Sequence, residues 1–150
     1  MRCVIAVGSN LGDREEYIRS AIEKMKEVME VRAVSTLIET EPVGGPQQGR
    51  YLNGVVLGET HMEPEPLMAR LLEIEASLGR IRTVANGPRT IDLDLIDHGG
   101  IELETDSLTL PHPRAVERAF VLLPWLELDP DATIPGKGSV REIAVRNGWL

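Results

Sequence analysis

The chain predicts an α+β fold in one domain spanning residues 1–150, and two observations carry that expectation. Segments of strand-like alternation take turns with segments whose apolar residues recur at helical spacing, and no linker, repeat or low-complexity tract interrupts them. At 150 residues and 42% hydrophobic composition, the chain is long enough for one real core, and no segment is apolar enough to span a bilayer.

The elements follow in order. Cys3 to Val7 reads as a buried strand, and Gly8-Ser9-Asn10-Leu11-Gly12-Asp13 as a turn into a helix that carries Ile18, Ala21, Ile22, Met25, Val28 and Met29 on one face. Residues 31–40 alternate as one strand, 41–50 form a loop rich in Gly and Pro, and Tyr51 to Thr60 is the next strand. Pro64 and Pro66 suit the first turn of a helix, Leu67, Leu71, Ile74 and Leu78 give its apolar stripe, and Gly79 ends it. A polar, arginine-bearing loop leads to a strand with Asp92 and Asp94, and Gly99-Gly100 reads as a hairpin turn into Ile101-Glu102-Leu103. Beyond Pro111 the chain reads as short helices, the last capped by Ser139 and running through Val145. The order βαββαβ is that of a ferredoxin-like sandwich, with the hairpin and the C-terminal helices as additions.

Charge narrows the function. A formal net charge of −8 argues against a nucleic-acid binder that relies on phosphate neutralisation, so no nucleic-acid partner is expected. One cysteine, Cys3, forms no internal disulfide, and the opening Met-Arg-Cys-Val-Ile-Ala-Val has no secretory-signal pattern. A reducing cytoplasm is the expected compartment. The lysines, Lys24, Lys26 and Lys137, all lie outside residues 80–118, whereas that window holds Arg80, Arg82, Arg89, Arg114 and Arg118. Arginine's planar fork matches phosphate oxygens two at a time, which suggests a localised polyphosphate site. Surface ion pairs to Glu102, Glu104 or Glu117 are the alternative for any single arginine.

Gly87-Pro88-Arg89-Thr90-Ile91-Asp92-Leu93-Asp94-Leu95 is the densest segment. In extended chain Asp92 and Asp94 share one face while Ile91, Leu93 and Leu95 enter a core, and two carboxylates with no lysine nearby suit a hard divalent cation. A bare D-x-D also fits an acidic, solvated face. Tyr51 and Asn53, likewise two apart on a strand, could stack on and read a flat heterocycle, although the pair is ordinary in isolation. His112 sits between two prolines in what reads as a rigid, exposed turn, and Phe120, taken alone, reads as core. Gly136-Lys137-Gly138-Ser139 lacks the P-loop spacing, Gly8 to Gly12 lacks G-x-G-x-x-G, and a tight turn capped by Asn10 or Asp13 explains the latter. No zinc-ligand spacing or G-x-S-x-G elbow occurs.

G-P-R-T-I-D-L-D-L, with the upstream G-R-I-R, the downstream L-T-L-P-H-P and R-A-F, and the opening V-G-S-N-L-G-D, resembles 6-hydroxymethyl-7,8-dihydropterin pyrophosphokinase of folate biosynthesis. The resemblance runs in the same order from the first strand to about Pro124. It implies a ferredoxin-like enzyme that transfers diphosphate from ATP to the hydroxymethyl group of 6-hydroxymethyl-7,8-dihydropterin, releases AMP and uses two Mg²⁺ ions.

Residue by residue, the resemblance implies that Asp92 and Asp94 hold the metals. Arg80, Arg82 and Arg89 would contact phosphate, the first two from a mobile loop, with Arg82 and Arg89 joining the two aspartates in catalysis. Thr109, His112 and Arg118 would lie at the nucleotide. Tyr51 and Phe120 would sandwich the pterin, Asn53 would read its edge, and Thr40, Pro42, Val43 and Gly44 would complete its pocket. Glu75 matches a family carboxylate. The chain departs from well-known members at Asn86, which stands for a tryptophan in a loop shorter by one residue, and at Leu72, Ser107 and Pro113, which replace a glutamine, an arginine and a tyrosine. A monomer is expected, with no membrane partner. The alternatives from other classes are a non-catalytic ferredoxin-like module that senses nucleotide or pterin, and an RNA-binding sandwich, which the acidic balance and scarce aromatics disfavour.

Overall fold

A computed structural model of the chain describes residues 1–42, 45, 47–80 and 88–150. Its centre is an antiparallel sheet. The long strands are β1 (Arg2–Ser9), β4 (Tyr51–Glu59) and β5 (Asp92–His98), with β2 (Glu30–Val34) and β3 (Ile38–Thr40) both pairing with β4. The order across the sheet is β2-β4-β1-β5, which puts β1 between the two strands that carry the chemistry.

The two faces are covered differently. Cys3, Ile5, Val7, Val56, Leu93 and Leu95 meet α1 (Arg14–Met25) and α2 (Pro64–Ser77), which contribute Ile18, Ala21 and Met25, and Leu67, Leu71 and Ile74. Burying these side chains removes apolar area at roughly 25 cal/mol per Å². On the opposite face Val4, Val55, Leu57 and Ile96 pack with Val121, Leu122 and Trp125 of α3 (Ala119–Leu128) and Val140, Ile143 and Ala144 of α4 (Val140–Arg146). Asp92 and Asp94 share a face with Ile96, yet Ile96 is buried in this second core while the two aspartates keep a small exposed fraction, 20% for the Asp92 side chain. The second helical layer thus covers one part of that face and leaves another open.

Several boundaries differ from the sequence expectation. The single strand expected over 31–40 is two strands. The Ser35 hydroxyl accepts from Val55 N–H at 2.9 Å in place of a ladder carbonyl, and Thr36 N–H turns away to Glu127 Oε2 at 2.8 Å. α1 stops at Met25, beyond which hydrogen bonds such as Val28 N–H to Met25 O tighten the turn while Val28 and Met29 stay buried. Asp13 caps α1 through Glu16 N–H and Ser139 caps α4 through Glu142 N–H, as expected. Gly79, with φ +85°, follows the end of α2.

Gly99-Gly100 does make a turn, closed by Ile101 N–H to His98 O at 3.0 Å, but the chain after it does not pair back on β5. Instead β6 (Leu103–Glu104) pairs with β7 (Thr109–Leu110), a hairpin held at its tip by Thr105 N–H to Leu108 O and by Leu108 N–H to the Thr105 hydroxyl. The ten-residue α3, which contains Pro124, and the small ladder of β8 (Thr133–Ile134) with β9 (Gly138–Ser139) carry little periodic signal in the sequence. Among the described residues, no helix is long and apolar enough to cross a membrane.

Candidate active site

The open part of the second face is built by register. Gly8 of β1 lies opposite Asn53 of β4 on one side and Asp92 of β5 on the other, and Ala6 pairs with Asp94. Small residues on the middle strand keep this floor low. A Cβ on Gly8 would come within 2.6 Å of Asn53 Oδ1, so the position accepts glycine alone unless the amide moves. Tyr51, two residues before Asn53, projects from the same face, and Asn53 Nδ2 donates to the Thr40 hydroxyl of the adjoining β3.

The cavity over this floor is lined by Thr40, Glu41, Gln48, Tyr51, Asn53, Arg89, Asp92, Arg118 and Phe120. Phe120 comes from the first turn of α3, and Arg118 immediately before that helix sits 5.6 Å from the Phe120 ring centroid, a cation–π distance. The fold therefore gathers expected residues from five separate segments. Phe120, half-buried beside this cavity, is not a fully buried core side chain.

Asp92 is held between two arginines. Arg80 Nη1 donates to its Oδ1 at 2.8 Å and Arg89 Nη1 to its Oδ2 at 3.0 Å. The Arg80 side chain is 6% exposed and also donates to Glu75 Oε2 at 2.6 Å, while that same oxygen accepts Leu93 N–H at 2.7 Å. Arg80, expected on a mobile loop, is instead held by the buried carboxylate of α2 and by Asp92. Asp94 has no ion pair among the described residues, and burial, reinforced by the neighbouring Asp92 charge, pushes its carboxyl up to about 7. A carboxylate that is desolvated, repelled by its neighbour and unpaired fits a cation ligand, and Asp92 and Asp94 suit a hard divalent ion by their oxygen donors. Among the described residues no group of three or more His, Cys, Asp or Glu converges for a metal, so any remaining ligands would come from substrate or water.

Other expected site residues stand apart from the cavity lining. His112 is half-buried, not exposed as its proline flanks suggested. Its backbone N–H donates to Ile96 O at 2.9 Å, and its Nδ1 accepts Arg114 N–H at 3.2 Å, which places the ring proton on Nε2. Burial, then the Arg118 charge, holds its pKa below the ordinary histidine value. Thr109 lies in β7 opposite Glu104, and Pro42 lies in the loop beyond β3; neither lines the cavity. Val43, Gly44, Arg82, Asn86 and most of the expected lid over 80–88 fall outside the described residues.

Sequence reasoning passed over three contributors. Asn10 read as a cap, yet its amide spans two loops; Glu41 and Gln48 read as loop filler, yet they line the cavity. The one available signal was Gly8, whose lack of a side chain on a buried strand marks a close approach on that face.

Fold and site together define an α+β protein whose open sheet face carries two carboxylates, several arginines and an aromatic pair, an arrangement suited to a metal-complexed polyphosphate beside a flat ring. The chain belongs to the family of 7,8-dihydro-6-hydroxymethylpterin-pyrophosphokinase (HPPK), whose sequence profile matches residues 4–130. It is 44% identical over 126 residues to the 2-amino-4-hydroxy-6-hydroxymethyldihydropteridine pyrophosphokinase of Bacillus subtilis, covering 83% of this chain and 75% of that protein. It is 41% identical over 135 residues to the folic acid synthesis protein fol1 of Pneumocystis carinii, where the match covers 89% of this chain but only 18% of the longer protein. A crystal structure of Plasmodium falciparum HPPK-DHPS A437G with pteroate superposes with a TM-score of 0.76 at 13% identity, covering 97% of this chain and 43% of that one; this likeness is one of fold.

Proposed function

We propose that the protein is a Mg²⁺-dependent pyrophosphokinase that transfers diphosphate from ATP to the hydroxymethyl group of 6-hydroxymethyl-7,8-dihydropterin and releases AMP. The observation that carries this reading is the register that sets Asp92 across Gly8 from Asn53, with Asp94 opposite Ala6 on the same face and Tyr51 two residues before Asn53. A phosphate-handling group and a ring-handling group then share one floor.

In this reading Asp92 and Asp94 hold two Mg²⁺ ions, which when bound neutralise the triphosphate and lower the barrier to attack by the substrate hydroxyl. The hydroxymethyl oxygen forms a bond to the β-phosphorus, the bond from that phosphorus to the α,β-bridging oxygen breaks, AMP leaves, and the hydroxyl proton passes to water. Arg89 and Arg118 meet phosphate oxygens as forked donors, and His112 offers its Nε2–H. Arg82 and Thr109 are assigned to the nucleotide from the family motif. Tyr51 and Phe120 flank the pterin and Asn53 reads its edge beside Thr40, while Pro42, Val43 and Gly44 are assigned to the pterin from the family motif. Glu75 and Arg80 act behind Asp92 and set its orientation.

The strand order β2-β4-β1-β5, with α1 and α2 on one face, supports the ferredoxin-like description, and residues 1–150 are read as one catalytic domain acting as a monomer in the cytoplasm. The test is direct. Protein, Mg²⁺-ATP and the reduced pterin alcohol are combined and the nucleotide product is resolved by chromatography: AMP with a diphosphorylated pterin is expected, ADP would mean cleavage of the γ-phosphate and overturns the reading, and no turnover with intact binding favours the non-catalytic sensing module.

A further inference from the structure

Asn10 follows β1, and only 7% of it is exposed. Its side chain makes contacts in two directions. Nδ2 donates to Gln48 Oε1 at 2.8 Å and to Gly49 O at 3.0 Å, both in the loop that leads into Tyr51. Oδ1 accepts Arg89 N–H at 2.8 Å, and Asn10 N–H donates back to Arg89 O at 3.0 Å. Both amide hydrogens and the amide oxygen are therefore used, with short, well-formed bonds.

The two ends matter to opposite halves of the site. Gln48 lines the cavity beside Tyr51 and Asn53, so its loop shapes the ring-binding side. Arg89 donates to Asp92, so its backbone position sets the phosphate-binding side. An amide is the group that serves here. A carboxylate would keep the bond from Arg89 N–H but turn a second oxygen toward two acceptors, and an aliphatic side chain would take the acceptor from Arg89 N–H and remove both bonds to the ring-side loop.

We infer that Asn10 is a positioning residue that ties the ring-side loop to the phosphate-side turn, so that nucleotide and pterin strengthen each other's binding through it. This rests on the proposed function for the identity of the two ligands. The coupling is reciprocal: whatever nucleotide does for pterin affinity through the latch, pterin does for nucleotide affinity.

The test measures binding without turnover. Pterin alcohol is titrated calorimetrically into the protein alone and into protein holding Mg²⁺ with a non-hydrolysable ATP analogue, and the ratio of the two Kd values is the coupling. The wild type is expected to show a ratio of about tenfold or more, and Asn10→Asp a ratio near one with little change in analogue affinity measured without pterin. Should Asn10→Asp fail to fold by circular dichroism, Gln48→Met serves. It cuts one of the two loop bonds and leaves the bonds to Arg89, and its ratio is expected to fall part of the way. Gln48 touches the cavity, so pterin affinity itself can change in that variant, but a contact effect moves both Kd values alike and leaves the ratio. A wild-type ratio of one, or an unchanged ratio in the folded variants, overturns the inference. Failure of the proposed function is read separately, as absence of AMP formation by the wild type.

Discussion

Arg80 Nη1 lies 2.8 Å from Asp92 Oδ1 and 2.6 Å from Glu75 Oε2, so one guanidinium bridges a buried carboxylate of α2 and the first carboxylate of β5. Glu75, 2% exposed, also holds Leu93 N–H, the backbone link between the two aspartates. Replacing Glu75 by Gln keeps an oxygen for Leu93 but leaves the Arg80 charge buried with one carboxylate fewer. Denaturant unfolding is expected to show a loss on the order of 3 kcal/mol, because removing one partner of a buried pair strands the other. A loss below about 1 kcal/mol, the range of exposed pairs, would show that Arg80 is rehydrated instead.

Asp94→Asn separates fold from chemistry, whereas Asp92→Asn also takes a partner from the buried Arg80 and is expected to lose stability. Asp94 is desolvated and repelled by Asp92, so its neutral amide relieves a strain and Asp94→Asn is expected to unfold at the same temperature as wild type or higher. Turnover is nevertheless expected to fall about a hundredfold or more in each variant, since the charge that positions the metal is gone. EDTA should abolish wild-type activity and Mg²⁺ restore it. Near wild-type rates in both variants would remove Asp92 and Asp94 from the mechanism.

The legible part of this protein was the part governed by period. Alternation over Ile91 to Leu95 placed Asp92 and Asp94 on one face, and the helical stripe of Leu67, Leu71 and Ile74 placed α2 in the core. What escaped was governed by single hydrogen bonds that compete with the repeat. The Ser35 hydroxyl splits a strand whose side-chain pattern runs on unbroken, and a tip held by Thr105 pairs β6 with β7 where two glycines pointed back to β5. Arg80 was misjudged for a related reason. Its partners Glu75 and Asp92 lie 5 and 12 residues away, on another helix and strand, and no local pattern marks such a meeting.

Phe120 lines the cavity with Tyr51 and Asn53 from an unrelated element, while Arg118 lies over its ring. Phe120→Ala is expected to weaken binding of the pterin alcohol by about 1–3 kcal/mol through lost stacking and apolar burial. Affinity for the nucleotide analogue measured without pterin should change much less. An equal loss for both ligands in calorimetry would mean that the ring supports the fold of α3 and not the substrate.

His112 gives the pH dependence its sign. Its pKa is held below the ordinary histidine value, first by burial and then by the Arg118 charge, with Asp92 opposing and Arg114 adding to the effect. The neutral ring also has a structural use, because its Nδ1 accepts Arg114 N–H and a proton there would break that bond. In the unfolded chain the imidazole takes up a proton near its ordinary value of about 6.5, above the folded value. Between those two values the unfolded state binds more protons, so stability rises with pH across that window. The contribution of His112 is complete above about pH 6.5 and is lost as pH falls through the folded value. Chemical denaturation of wild type and His112→Gln at about pH 7.5 and about pH 5.5 isolates this group from the other histidines, His61 and His98. Acid should weaken wild type more than the variant, whose glutamine has no proton to gain. Equal losses in the two proteins would show that His112 titrates alike folded and unfolded, and that its ring is solvated.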